Sequence, residues 1–108
     1  MKYVIDIDDT ICKKASGVFA DADYEDCVPI KHRIDQINKL FDEGHTIFFA
    51  TARGMGRSDN NDPSIFENIT KQQLKDWGVK YHRLFMGKPT GDYYIDDKAI
   101  RDTTFFED

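Results

Sequence analysis

The carboxylate side chains of this chain are clustered, and their positions indicate chemistry. The 108 residues include 16 aspartates but only 4 glutamates. Asp6, Asp8 and Asp9 directly follow one apolar segment, and Asp96 and Asp97 follow another. Carboxylates this close raise one another's pKa unless a positive charge lies nearby. A hard divalent cation prefers oxygen ligands, so these clusters predict a site for Mg²⁺.

Three other polar side chains hold similar places in the sequence. Thr51 and Arg53 come at the end of a second apolar segment, and Lys88 follows a third. In an open α/β sheet, ligands bind beyond the carboxyl ends of the parallel strands. A lysine and a hydroxyl directed at one point there would suit a phosphate group. The residues therefore favour Mg²⁺-assisted phosphoryl transfer with a carboxylate nucleophile.

The apolar segments that must position these residues predict a parallel sheet covered by helices. Predicted strands span residues 2–7, 46–51, 81–86 and 93–95. A 3.6-residue period predicts one helix between Pro29 and Gly44. A second is predicted from Asp62, as its N-cap, to Gly78. The alternation of strands and helices predicts an α/β fold.

Two connections in this pattern are predicted to be irregular. Residues 11–28 suit a small hairpin or flap better than a helix, because Gly17 and Asp21 flank a short apolar segment. Residues 52–62 include a stretch of turn-forming residues from Gly54 onwards, which predicts an exposed loop. The stretch that contains Phe105 and Phe106 is expected to pack back on the sheet.

Composition limits the class of protein. The length predicts a single domain, residues 1–108, and the absence of a long apolar run predicts a soluble, cytoplasmic protein without a membrane partner. With 15 basic and 20 acidic residues the net charge is −5, which disfavours a broad nucleic-acid surface but leaves a strand end open. Cys12 and Cys27 have no zinc or redox spacing and are predicted to be free thiols.

Four segments of the chain resemble, in order, the four motifs of the haloacid dehalogenase (HAD) superfamily. Residues 4–11, Val-Ile-Asp-Ile-Asp-Asp-Thr-Ile, are similar to the first motif, a hydrophobic strand followed by DxDxT. Thr51 after its strand resembles the second motif, and Lys88 in Gly-Lys-Pro resembles the third. Asp96 and Asp97 resemble the fourth in its DD form. The resemblance covers nearly the whole chain and implies a three-layer, Rossmann-like fold.

This resemblance also implies a mechanism. Asp6 would attack phosphorus and form an aspartyl-phosphate. Asp8 would protonate the leaving oxygen and later take a proton from water. Mg²⁺ would be held by Asp6, the backbone carbonyl of Asp8 and an acid of the pair Asp96 and Asp97, with Asp97 favoured as the direct ligand.

The same resemblance implies the phosphate and substrate contacts. Thr51 and Lys88 would bind phosphate oxygens. The insertions between motifs are short, so the chain resembles a capless member with a small flap in place of a cap domain. From their place in the loop after the second motif, and not from the resemblance, Arg53 and Arg57 are expected to contact the leaving group. Two aromatic residues of the flap, Phe19 and Tyr24, are expected to do the same.

The substrate is expected to be a small-molecule phosphomonoester. Thr-Ala-Arg at 51–53 and Gly-Lys-Pro at 87–89 look most similar to small phosphatases of capsule or polysaccharide biosynthesis, which implies a sugar phosphate. Two alternatives stay open: a polynucleotide or nucleotide phosphatase, and a non-catalytic metal- or phosphate-binding regulatory module. The sequence leaves the oligomeric state undetermined.

Overall fold

A computed structural model describes residues 1–15, 24–55 and 63–107. The predictions for Phe19, Arg57, the Asp62 cap and most of the loop at 52–62 lie outside these residues. Five strands and three α-helices are described. In chain order they are β1 (Lys2–Ile5), β2 (Cys12–Lys14), β3 (Cys27–Pro29), α1 (Lys31–Asp42), β4 (Thr46–Thr51), α2 (Glu67–Asp76), β5 (Arg83–Met86) and α3 (Asp102–Phe106).

The main sheet has three parallel strands in the order β1-β4-β5. Ile5 pairs with Phe49, and Thr51 pairs with Met86, so the carboxyl ends of the strands meet at one edge. The chain passes from β1 to β4 through α1, and from β4 to β5 through α2. Parallel strands need such long crossovers because a tight turn cannot join them. Among the described residues β1 pairs on one side only, which makes it an edge strand.

Apolar side chains of the sheet and helices form one core. Its buried members come from β1 and the loop after it, from β4 and from the helices and their ends: Ile5, Ile7, Ile11, Ile34, Ile37, Ile47, Phe49, Leu74, Val79 and Phe106. The predicted helix ends are confirmed, because Gly44 and Gly78 adopt positive φ angles of 96° and 69°, which favour glycine. Phe106 on α3 is buried, as expected for a C-terminal stretch that packs back on the domain.

The flap prediction is confirmed at its base, where β2 and β3 form an antiparallel pair with Lys13 opposite Val28. The fourth strand predicted at 93–95 is wrong, since the described structure has no strand there and residues 91–100 are exposed. Local bonds hold this segment instead. The hydroxyl of Tyr94 donates to the carbonyl of Pro89 at 2.6 Å, and Asp96 accepts the backbone N–H of Lys98 at 3.0 Å.

The helices of the described residues are too short or too polar to span a membrane.

Candidate functional site

The loop after β1 presents two carboxylates on either side of a buried residue. Ile7 is fully buried, and its carbonyl accepts the backbone N–H of Thr10 at 3.0 Å, which closes a tight turn. Asp9 within this turn has a φ of 63°, a left-handed conformation that aspartate and asparagine adopt more readily than most residues. Burial of Ile7 therefore anchors the loop while Asp6 and Asp8 remain partly accessible.

Asp6 lies beside a lysine and a hydroxyl. Its Oδ1 atom is 3.7 Å from the Nζ atom of Lys88, and its Oδ2 atom accepts the hydroxyl of Thr10 at 3.4 Å. Burial raises the pKa of Asp6 above its usual value, although the charge of Lys88 acts in the opposite direction. The group is thus a carboxylate whose negative charge is only partly compensated. Such a carboxylate can attack an electrophile or bind a cation.

The ends of β4 and β5 bring Thr51 and Lys88 together. The backbone N–H of Lys88 donates to the carbonyl of Thr51 at 3.0 Å, which extends the pairing of the two strands. Thr51 is buried, and its hydroxyl oxygen accepts the backbone N–H of Arg53 at 3.2 Å. Thr51 therefore lies beneath the accessible site, whereas the ammonium group of Lys88 reaches Asp6.

Arg53 is at the predicted strand end, but its side chain is fully buried and pairs with Asp8. Its Nη2 atom donates to Oδ1 of Asp8 at 2.8 Å, and its Nε atom donates to Oδ2 at 3.0 Å. Tyr24 stacks on the guanidinium, with its ring centroid 4.4 Å from Cζ of Arg53. In the described structure Arg53 thus contacts both Asp8 and Tyr24, and a contact of Arg53 or Tyr24 with a leaving group stays a prediction.

An open cavity of about 840 Å³ lies between the end of β1 and the segment before α3. Asp6, Thr10, Lys88, Tyr94 and Asp96 are among its lining residues. The cavity thus joins acids that are 90 positions apart in the sequence. Among the described lining residues the acid pair is represented by Asp96 rather than by Asp97, the ligand favoured from the sequence.

The acid pair lies on the exposed segment at the far side of this cavity. The backbone N–H of Lys98 lowers the pKa of Asp96 below its usual value. Asp96 is therefore ionised at neutral pH and can act as an oxygen ligand. Lys88 connects the two sides, because its Nζ atom lies 4.3 Å from the ring centroid of Tyr94 as well as beside Asp6.

The donor set facing the cavity fits a hard divalent cation in its chemistry. Asp6 and Asp96 supply carboxylate oxygens, and the raised pKa of Asp6 means that a further positive charge would stabilise its ionised form. In the described part of the chain, Asp6, Asp8, Asp96 and Asp97 do not form a compact group of donor atoms. The acid pair would have to approach Asp6 to complete a shared site.

The compact donor group that the described residues do form combines Asp8 with the thiols of Cys12 and Cys27, within 4.8 Å of one another. Both cysteines are free, as predicted. Burial raises the pKa of each thiol, so both are protonated. Nη2 of Arg53 lies 3.8 Å from Sγ of Cys27, and the guanidinium already supplies the positive charge here. Two thiols and one carboxylate are also a poor donor set for Mg²⁺.

Sequence reasoning missed the residues that hold Arg53. Thr70 and Gln73 on α2 accept hydrogen bonds from its Nη1 atom at 3.1 and 2.6 Å. Spaced three residues apart, they share the helix face that also carries buried Leu74. Polar residues on a helix face directed at the core are the one sequence signal that could have indicated a buried charge. The cysteines near Asp8 carried no such signal.

Comparisons with known proteins identify a similar fold and no function. Neither the family models nor the curated proteins give a match. A crystal structure of a structural-genomics target from Vibrio cholerae is similar, with a TM-score of 0.79 and 26% sequence identity. The alignment covers 96% of this chain and 85% of that protein. The small α/β fold with its parallel sheet is therefore shared with a solved structure.

Proposed function

We propose that this chain is a Mg²⁺-dependent phosphohydrolase of the HAD superfamily, which cleaves a phosphomonoester through an aspartyl-phosphate intermediate. Support comes from the four motif-like segments in order and from a parallel sheet whose strand ends carry the polar residues of the first three segments. The proposal includes the complete three-layer, Rossmann-like fold of that superfamily. It also includes a flap at β2 and β3 in place of a cap domain.

One observation supports the proposal best: the position of Asp6 on the wall of an open cavity. The carboxylate is 3.7 Å from Lys88, a cation suited to phosphate, and two residues before Asp8. A carboxylate nucleophile needs access, a nearby positive charge for the incoming phosphoryl group, and a proton donor for the leaving oxygen. Asp6, Lys88 and Asp8 have the chemical character for these three roles.

The proposed reaction has two steps. In the first, a carboxylate oxygen of Asp6 forms a bond to phosphorus as the bond from phosphorus to the leaving oxygen breaks, and Asp8 gives its proton to that oxygen. In the second, Asp8 takes a proton from water, whose oxygen attacks phosphorus and releases phosphate and the Asp6 carboxylate. Lys88 stabilises the phosphoryl oxygens throughout.

Mg²⁺ would be held by Asp6 together with the acid pair, through Asp96 or Asp97, and by the backbone carbonyl of Asp8. Its chemistry would be to neutralise the repulsion between an anionic nucleophile and an anionic phosphate. Asp6 and Asp96 already line one cavity, which supports their joint assignment.

The proposed substrate is a sugar phosphate of polysaccharide biosynthesis. The cavity is open and sets no upper limit on the size of the leaving group. A phosphorylated oligonucleotide and free nucleotides therefore belong in the same substrate screen as sugar phosphates. Faster turnover of a sugar phosphate would support the first assignment, and preference for a strand end would support the polynucleotide alternative.

The first test measures hydrolysis of an aryl phosphate by the wild type, Asp6→Asn and Asp9→Asn, each with Mg²⁺ and with EDTA. We expect turnover only with Mg²⁺ and complete loss in Asp6→Asn. Asp9→Asn is the matched control, because Asp9 is exposed in the same turn and asparagine tolerates its positive φ. Equal rates for wild type and Asp6→Asn would rule out the assigned nucleophile. Mg²⁺ binding without turnover of any phosphomonoester would instead favour the regulatory-module alternative.

A further inference from the structure

Arg53 carries a positive charge that is buried and enclosed by neighbouring side chains. Its side chain is fully buried, in contrast to the exposed position expected for an arginine in a polar loop. An unpaired guanidinium in this position would be strongly destabilising. Burial alone would lower its pKa, but the hydrogen bonds and charge of Asp8 more than compensate, so Arg53 stays protonated.

The guanidinium binds Asp8 as a fork. Nη2 donates to Oδ1 at 2.8 Å and Nε donates to Oδ2 at 3.0 Å, which fixes the plane of the carboxylate as well as its distance. Oδ1 also lies 3.6 Å from the thiol of Cys12, which donates to it. Oδ2 accepts its hydrogen bond from Nε and from no other described donor. It therefore keeps a lone pair that can take a proton. The two oxygens of Asp8 are therefore not equivalent.

The rest of Arg53 is fixed from two other elements. On the α2 side, Nη1 donates to Thr70 and Gln73 at 3.1 and 2.6 Å. On the flap side, the ring of Tyr24 covers the guanidinium, and the amide of Gln73 donates to the carbonyl of Tyr24 at 2.5 Å. Every nitrogen of the guanidinium thus has a partner. Such a rigid group can hold another side chain in one orientation.

We propose that Arg53 is a positioning residue, which orients Asp8 so that Oδ2 carries the proton given to the leaving oxygen. This inference rests on the proposed phosphohydrolase function. As the bond from phosphorus to the leaving oxygen breaks and the proton moves to that oxygen, negative charge is left on Asp8. The buried guanidinium compensates this charge at the moment it develops. Lysine cannot replace it, because an ammonium group cannot form the fork.

The test compares two substrates that differ in their need for a proton donor. A nitrophenyl phosphate releases a stable anion and needs little protonation, whereas an alkyl phosphate releases a basic alkoxide and needs a proton. The quantity measured is kcat/KM, because it reports the steps up to the first irreversible release. We expect Arg53→Lys to lower kcat/KM for the alkyl phosphate at least about tenfold more than for the nitrophenyl phosphate.

Three further variants make the result specific. Arg53→Lys combined with Asp8→Asn should lose no more than Asp8→Asn alone, because both changes remove one function. Arg33→Lys is the matched control: this arginine is also buried and also pairs with carboxylates, but its loss should be equal for the two substrates. Thr70→Val removes one neutral partner of Arg53 and should show a smaller shift in the same direction, which covers the case that Arg53→Lys does not fold.

The outcomes separate this inference from the proposed function. Equal losses on both substrates in Arg53→Lys or Thr70→Val, with an active wild type, would overturn the positioning role and leave the phosphohydrolase intact. Full additivity of Arg53→Lys and Asp8→Asn would do the same. A wild type inactive on both substrates, with Mg²⁺ present, would overturn both proposals.

Discussion

Two buried arginines in this fold have similar surroundings but different partners. Arg33 on α1 donates to Asp102 at 2.7 Å and to Glu107 at 2.9 Å, and its Cζ lies 5.1 Å from the ring centroid of Phe106. Arg53 has a carboxylate fork and an aromatic neighbour as well. Burial, pairing and ring stacking are thus common to both sites and do not by themselves indicate function.

The difference lies in what the paired carboxylates belong to. Asp102 and Glu107 lie at the C-terminal helix, and their bonds to Arg33 fasten that helix to α1. Asp8 belongs to the turn that also carries Asp6, and its partner is completely enclosed. We interpret the Arg33 pairs as a structural link between α1 and the C-terminal helix, and the Arg53–Asp8 pair as part of the proposed catalytic site. The following predictions test this distinction.

The largest expected effect is on activity. Asp8→Asn should lower kcat/KM for an alkyl phosphate by about 10²- to 10⁴-fold, the usual contribution of a general acid, while the far-UV circular dichroism stays native. Glu107→Gln, which alters the carboxylate of the other arginine, should change it by less than about twofold. Comparable losses in both variants would show that the two arginine sites do not differ in function.

The next effect is on stability. Removing either guanidinium leaves carboxylates without a positive partner. The loss of stability should be greater where the unpaired carboxylate is more buried. The side chain of Asp8 is 20% exposed, and those of Asp102 and Glu107 are 29% and 42% exposed. We expect Arg53→Met to lower the free energy of unfolding by about 3 kcal/mol and Arg33→Met by about 2 kcal/mol. Urea denaturation measures both, and the reverse order would contradict this explanation.

The smallest effect is on pH dependence, and its sign differs between the two regions. Hydrogen bonds from His32 and Arg33 lower the pKa of Glu107, and the bond from Arg33 outweighs burial and lowers that of Asp102. A carboxylate with a lowered pKa stabilises the fold at pH values above its ordinary pKa, which is 4.5 for Glu107 and 3.8 for Asp102. This contribution to stability is lost as the pH falls. Asp6 has a raised pKa, so its contribution is lost as the pH rises above 3.8.

Urea unfolding at pH 3.5 and pH 7 checks these signs. In the double variant Asp102→Asn with Glu107→Gln, the change in stability between the two pH values should be smaller than in the wild type. In Asp6→Asn the gain on raising the pH should be larger than in the wild type, because a buried acid no longer has to ionise. A shift in the same direction for both variants would contradict the assigned causes.

The sequence predicted the elements whose patterns are strong. The pattern of apolar residues predicts both the strand at Thr46–Thr51 and the helix before it. Gly44, which has a positive φ in the structure, marks the end of that helix. The strand predicted at 93–95 shows the limit of this reasoning. Apolar residues indicate that a strand is favourable, but a strand also needs a neighbour. In the described structure this segment pairs with no strand, and the hydrogen bonds of Tyr94 and Asp96 are local.

For the site, the sequence predicted that Asp6 and Lys88 follow two strands of one parallel sheet. These strands are β1 and β5, which lie on either side of β4 with their carboxyl ends at the same edge, and the two side chains come within 3.7 Å there. The sequence did not predict the buried environment of Arg53. Loop residues are usually solvated, and the partners Thr70 and Gln73 are 17 and 20 residues further along the chain. Arginine is usually exposed, and Arg53 is buried because α2 packs against the loop that carries it.

The edge position of β1 has a consequence for solubility. One side of this strand presents backbone N–H and C=O groups with no partner in the described structure, and Val4 is 65% exposed. Such an edge is a template on which a second extended chain can add and start aggregation. The positive Lys2 and the negative Asp6 lie at its two ends, where charge discourages that addition. An acid proposed for catalysis would then also disfavour edge-to-edge pairing of β1 while the chain folds.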